Sequence, residues 1–268
     1  MKISTIKRKK GFTLIELLVV IAIMAALAGV GYPIITSMMV AGDRQAASDN
    51  LKQIGTALST FKTDIKTYPS DGAAKHNRIV RVAEKHGEVT GTTSNPYFRQ
   101  LFYKTKGGVN EENFYAALPD FQKGDNNTGV GETLKAGECA FSYVMRKPAV
   151  ADTPTKKGGK NKKGAAPSEE SALRPVDNGP IAFCCAKVNA DPTDMVDVTF
   201  DIASFKGYAF AVTTDGKIVS MEEEAMLEAD ESDSSIGRFI PGMEPFAKKN
   251  GVSEMDNCVL LSPEPLQQ

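Results

Sequence analysis

Lys9-Lys10-Gly11-Phe12-Thr13-Leu14-Ile15-Glu16-Leu17-Leu18 opens the segment that decides how this chain is read. Five basic residues, Lys2, Lys7, Arg8, Lys9 and Lys10, precede Gly11. After Glu16, the 24 residues from Leu17 to Val40 carry no charge. As a helix rising 1.5 Å per residue they extend roughly 36 Å, enough for a hydrocarbon core of about 30 Å. A secretory signal has an apolar core of only about 7–15 residues and a small-x-small cleavage site behind it. The segment therefore reads as a membrane span, with Glu16 at its edge. An ionised carboxylate near hydrocarbon is costly and is by default a functional hypothesis whose partner has to be found. Five cations before the span and Asp43 soon after it place the N-terminus in the cytoplasm and export the bulk of the chain.

The helix is expected to continue past Val40. Ala47, Leu51, Ile54, Leu58, Phe61 and Ile65 recur at steps of four and three, the pattern of one apolar stripe, while Asp49, Asn50, Lys52, Gln53, Lys62 and Asp64 occupy the other face. Pro69 disfavours helix at Tyr68, and Ser70-Asp71-Gly72 reads as a turn, so the helix should end near Thr67. The chain is thus expected to carry a leader over 1–11 and one long helix over 12–67. Residues 12–40 of that helix are apolar all round, and 41–67 are amphipathic.

A basic leader ending in Gly11, then Phe12 and Glu16 at the head of an apolar span, resembles the class III signal of type IV pilins and of the pseudopilins of type II secretion. The resemblance covers roughly the first 70 residues, with Tyr68-Pro69 also similar to the pseudopilin pattern. It implies cutting between Gly11 and Phe12 by a prepilin peptidase, with the new Phe12 amine methylated. It also implies that Glu16 pairs with the Phe12 amine of a neighbouring subunit during assembly; the other option is pairing with its own chain's amine. Pro33 matches the family's helix proline. With Gly29 and Gly31 nearby, it marks a weak stretch of helix that is either a passive kink or a segment that unwinds on assembly. The partners implied are other pilin-like subunits through the N-terminal helix, an inner-membrane assembly platform and the lipid bilayer. The localisation implied is the inner membrane, with the head periplasmic or extracellular.

Residues 68–268 are expected to form that head. Short helices are anticipated over Asn77–Glu84, from the Asn95-Pro96 start signal to Gly107-Gly108, and from Asn110-Glu111-Glu112 to Leu118. Strands are anticipated over Cys139–Met145, Ile181–Val188, Val196–Ile202 and Tyr208–Thr213. Thr214-Asp215-Gly216 then turns into Lys217–Met221, and Asp-Gly between two such runs is a strong hairpin signal. A long helix packed on an antiparallel sheet gives an α+β class. Ala151–Pro175, rich in Lys, Gly, Ala, Pro and Ser, buries too little to order itself and reads as a flexible, solvated loop within the head.

Composition removes several function classes. The formal net charge is −1 and the leader holds five cations, so the remainder carries about −6 on its side chains, which argues against nucleic-acid binding. The two histidines, His76 and His86, have no ligand spacing, and no metal site is expected. Acidic runs (Asp191, Asp194, Asp197, Asp201; Glu222–Glu224, Glu228, Asp230, Glu231, Asp233) offer oxygen ligands for calcium, but none has calcium-loop spacing and a solvated acidic face is the expectation; calcium stays an open option and no other cofactor is expected. Cys139, Cys184, Cys185 and Cys258 all lie in the exported part. An even count in an oxidising compartment permits disulfides. Adjacent residues of a strand face opposite sides, so one bridge is expected, from Cys258 to Cys184 or Cys185, stapling a weakly packed C-terminal tail. No nucleophile elbow, phosphate loop or metalloprotease helix occurs, so the chain is not expected to be an enzyme. The expectation is a structural subunit of a type II secretion pseudopilus or a type IV pilus. The alternative is a membrane-anchored envelope- or cargo-binding protein that does not polymerise.

Overall fold

Helix α1 runs Leu14–Ile65 without interruption. The computed structural model describes residues 12–104, 108–127, 129–147, 174–175, 180–187, 193–194, 199–200, 204–222 and 258–266. The leader with Gly11, the loop 151–173 and most of both acidic runs lie outside the described residues. The chain divides into two units at Gly42.

In the second unit the stripe Ala47, Leu51, Ile54, Leu58, Phe61 and Ile65 is buried throughout, as its spacing predicts. On the outer face, the hydroxyls of Thr56, Thr60 and Thr63 each donate to the carbonyl four residues earlier. The stripe leaves no room at Gly55. A Cβ there would lie 2.5 Å from Cγ2 of Val212 in the sheet, so glycine is what allows this close approach of helix and strand. Lys66 ends the helix in a left-handed conformation (φ 71°), and Tyr68 then donates its hydroxyl to Thr214 O.

Three further helices follow: α2 (Asp71–Ala74), α3 (Asn77–His86) and α4 (Ser94–Arg99). Ser70 caps α2 by accepting from Ala73 N, and Gln100 ties the stretch after α1 inward, accepting from Ser70 N and donating to Ser70 O and Val89 O. The expected third helix proves shorter. α4 starts one residue before Asn95, and after a 3-10 turn at Gln100–Tyr103 the chain is already extended at Lys104. Asn110 does act as a cap, but it opens only a 3-10 turn, Glu111–Phe114, because Tyr115 is already extended.

The main sheet has the order β5-β9-β1-β3-β7-β8, from β1 (Phe141–Arg146), β3 (Pro180–Cys184), β5 (Thr193–Asp194), β7 (Tyr208–Thr213), β8 (Ile218–Glu222) and β9 (Cys258–Leu261). A short β2 (Arg174–Pro175) also pairs with β1, and β4 (Ala186–Lys187) pairs with β6 (Thr199–Phe200) as a separate ribbon. Every pairing is antiparallel. The β7–β8 hairpin turns through Thr214-Asp215, with Gly216 at φ 82°, as the Asp-Gly signal predicts.

Two expectations fail here, each for a backbone reason. The anticipated strand Ile181–Val188 breaks at Cys185, whose φ of 70° ends strand alternation and brings its Sγ to 3.7 Å from Cys184 Sγ on the same side. The C-terminal tail is not weakly held. Cys258–Leu261 are all buried, paired with β1 on one edge and β5 on the other. No disulfide staples it, because all four cysteines are buried thiols. On β1, Cys184 lies opposite Phe141 and Cys258 opposite Arg146. That separates them by roughly 17 Å along the strand and two strand spacings across it, whereas a disulfide spans at most about 7 Å between Cα atoms.

The close approach at Gly55 yields a test. Alanine improves helix propensity by about 1 kcal/mol over glycine, but the added methyl overpacks against Val212, at a cost of about 1–3 kcal/mol. Gly55→Ala should therefore lower stability in chemical denaturation. Combining it with Val212→Ala should give less loss than the two single effects added, a coupling that a double-mutant cycle reads directly.

Candidate functional site

The first unit presents an exposed apolar surface. Phe12 is 84 % exposed, and Leu14, Ile15, Leu17, Leu18, Ile21, Ile23, Met24 and Leu27 are all exposed as well. This part of α1 is long and apolar enough to cross a membrane. A helix apolar all round needs lipid or protein about it.

Glu16 sits one turn into that surface, and its partner is local. Thr13 N and Thr13 Oγ1 donate to Glu16 Oε2 at 2.8 and 2.9 Å, and Glu16 N donates back to Thr13 Oγ1 at 3.3 Å. This is a reciprocal capping box, in which side chains satisfy backbone N–H groups that the first turn leaves unbonded. The sequence carried the signal: Thr13-Leu14-Ile15-Glu16 is a Thr-x-x-Glu run just before an apolar stretch. Sequence reasoning weighed amine partners and missed this one. Pro33 lies within α1, which continues through it. Gly11 lies outside the described residues.

A second constellation is buried in the head. The segment Thr133–Lys135 is held by four polar side chains from three elements, α3, α4 and the 3-10 turn Glu111–Phe114. Arg99 of α4 donates through Nε to Thr133 O at 2.7 Å and through Nη2 to Leu134 O at 3.0 Å, with Nη1 on Glu88 O at 3.1 Å. Asn95 Nδ2 donates to Leu134 O and Lys135 O. His86 Nδ1 lies 2.8 Å from Thr133 Oγ1, and Leu134 N donates to Glu111 Oε1 at 3.0 Å. Burial pushes the Glu111 carboxyl above its ordinary value despite the Leu134 N–H, with Glu138 and Asp125 adding to the rise. Burial, then the Lys85 charge, holds His86 below 6.5. Just outside, Lys135 Nζ joins Asp125 Oδ2 at 3.1 Å and Glu132 Oε2 at 2.7 Å.

Cys139 adds no reactive site. Cys139 is fully buried, its thiol pushed up to about 12, which leaves it protonated and unreactive. Among the described residues no three His, Cys, Asp or Glu side chains gather as a metal site.

Residues 6–32 match the family model for the prokaryotic N-terminal methylation motif. Type II secretion system core protein G of Pectobacterium carotovorum subsp. carotovorum is 38 % identical over 63 residues, which are 24 % of this chain and 40 % of that relative. The chain thus spans about 40 % of the length of the curated relative it matches. No solved structure matches. Motif, relative and the pilin-like α+β arrangement together support a pilin-like subunit with a membrane-anchoring helix.

Thr13→Ala removes one side of the capping box, an effect of about 1 kcal/mol on the first turn. Amide hydrogen exchange on the full chain in micelles should show the amides of Leu14–Leu17 exchanging several-fold faster, with those of Leu51–Phe61 unchanged. For His86 the direction follows from its lowered value. Below about pH 6.5 the unfolded chain takes up a proton that the folded imidazole refuses, so this group leaves stability intact above that pH and erodes it as pH falls. Glu111 acts oppositely, since its raised value favours the fold as it protonates. His86→Gln should therefore show a smaller drop in melting temperature between pH 7 and pH 5 than the wild type.

Proposed function

We propose that this protein is a pseudopilin-type subunit of a type II secretion filament, cut between Gly11 and Phe12, methylated on Phe12 and polymerised through its N-terminal helix. The observation that carries the reading is the methylation motif over residues 6–32, set on a helix whose apolar surface is exposed. The relative named for type II secretion favours that machine over a pilus. The five leader cations orient the N-terminus to the cytoplasm and the head beyond the inner membrane. The subunit then meets three partners in turn: a prepilin peptidase, a membrane assembly platform and other pilin-like subunits.

Glu16 links processing to assembly in this reading. Among the described residues its carboxylate accepts from Thr13 of its own chain, and a carboxylate has lone pairs to spare for a second donor. The amine created at Phe12 by cleavage supplies one on a neighbouring subunit. In lipid, an unmatched charge costs several kcal/mol, so the pairing would set axial register between subunits.

Processing and assembly are tested separately. Gly11→Val should block cutting by crowding the peptidase site, and intact-mass analysis should find the wild type starting at N-methylated Phe12 and the variant uncut. Recovery of the wild type from its membrane with the leader still attached refutes the cleavage claim. Glu16→Val should insert in the membrane and be cut normally, yet fail to crosslink between N-terminal helices. Normal crosslinking of that variant beside a wild-type control refutes the pairing.

A further inference from the structure

Cys184 and Cys185 bring two sulfurs together at the corner where the chain leaves the main sheet. Cys184 ends β3, opposite Phe141 of β1 and Phe210 of β7, and β4 begins at Ala186, paired with β6 as a separate ribbon. In a regular strand, neighbouring side chains point to opposite faces. Cys185 departs from this with φ 70°, a left-handed conformation uncommon outside glycine, and its thiol donates to Cys184 Sγ at 3.7 Å. Such a conformation persists only where the surrounding structure over-determines it, and it gathers at functional sites. Both residues are buried, at 0 % and 2 % exposed.

We propose that Cys184 and Cys185 are a modification site, joined to each other as a vicinal disulfide. Neighbouring Cα atoms lie about 3.8 Å apart across a trans peptide, against roughly 4.4–6.8 Å in ordinary bridges. A bond between neighbours therefore closes only where the backbone turns both side chains to one side, and Cys185 supplies that turn. Side-chain rotation then takes the sulfurs from 3.7 Å to a bond of about 2.05 Å. The resulting small ring fixes the turn that carries the chain from β3 to β4. The oxidant is the disulfide of a thiol oxidoreductase or of glutathione. The Cys184 thiolate attacks it, forming a mixed disulfide and expelling one thiolate; the Cys185 thiolate then attacks the Cys184 sulfur and expels the other. The pair gives up two electrons and two protons, and the donor disulfide becomes two thiols. Burial of both sulfurs sets the timing, since exchange has to occur while the chain folds, before the sheet closes over them. The other cysteines compete poorly. Burial pushes the Cys139 thiol up to about 12, and its Sγ donates to Phe141 O at 3.5 Å. Cys258 is held opposite Arg146, at the far end of β1 from Cys184.

The bridge rests on the assembly reading in one respect, because export of the head supplies the oxidising compartment. The experiment extracts the full-length protein from producing cells with iodoacetamide present from lysis, then denatures it unreduced, alkylates again and maps the digest by mass spectrometry. Protease added to spheroplasts reports separately whether the head lies outside the inner membrane. With the head outside, the peptide holding residues 184 and 185 should be two hydrogens lighter and unalkylated, at least ten-fold more abundant than its alkylated form, while Cys139 and Cys258 are alkylated. Full alkylation of the pair in that case overturns the proposal. With the head inside, the export reading fails, and reduced protein refolded from urea into micelles with oxidised and reduced glutathione decides the bridge: the lighter peptide supports it and full alkylation overturns it. A bond from either residue to Cys139 or Cys258 overturns it in every case.

Discussion

The approach of α1 to β7, with only a hydrogen between Gly55 and Val212, is the contact on which the head depends. A helix that packs so tightly on a sheet must present a smooth, apolar stripe. The six residues from Ala47 to Ile65 do so, and Leu51, Ile54 and Phe61 have no exposed surface at all. The layers around it follow. Phe98 packs on Phe114 and on Tyr143 of β1, and Tyr97 stacks on Tyr143. The chain leaving α1 is tied back by the Tyr143 hydroxyl on Pro69 O and by Gln100 on Ser70. Arg44 adds a cation over the Tyr208 ring at 3.9 Å, linking the helix to β7 a second time.

The first half of α1 obeys the opposite rule. Its side chains are apolar on every face, and they are exposed. Such a surface is stable only in lipid or among similar helices. The Thr13–Glu16 capping box fits this setting, because it matches the carboxylate with local donors at a helix end that would otherwise leave N–H groups bare. The same box explains how a charge can stand at the edge of an apolar span with donors from its own chain.

Periodic features were legible in the sequence because burial follows spacing. The α1 stripe, the α3 helix and the β7–β8 hairpin stand where their patterns put them. What escaped was decided by single backbone angles or by distant pairing. Nothing in Cys184-Cys185 announces that Cys185 adopts φ 70°, yet that one residue ends a strand and undoes the facing argument on which the disulfide rested. The run Cys258–Leu261 is too short to show alternation, and its place between β5 and β1 is set by strands more than 60 residues earlier. The Thr13–Glu16 box is legible as a Thr-x-x-Glu run at the head of the helix, where the carboxylate is a cap before it is anything else.

The buried polar segment Thr133–Lys135 shows how specificity in the head differs from its stability. Arg99 would be costly to bury unbonded, and its guanidinium donates to three carbonyls, two on this segment and one on Glu88, in a fixed fork. Asn95 and His86 are likewise matched, so three of the four side chains cost little to keep inside. Glu111 is different: Oε1 accepts from Leu134 N, whereas Oε2 finds no partner of good geometry and the Asn126 backbone N–H only helps the carboxyl from nearby. A partly satisfied network is worse than an apolar core of the same shape. A leucine at 111 would leave Leu134 N unbonded, so part of the carboxylate is needed to hold the loop. The amide of glutamine would meet that need without burying an acid among Glu138 and Asp125. Position 111 therefore needs an acceptor for Leu134 N, and the acid meets that need at the cost of burying a carboxyl beside Glu138 and Asp125.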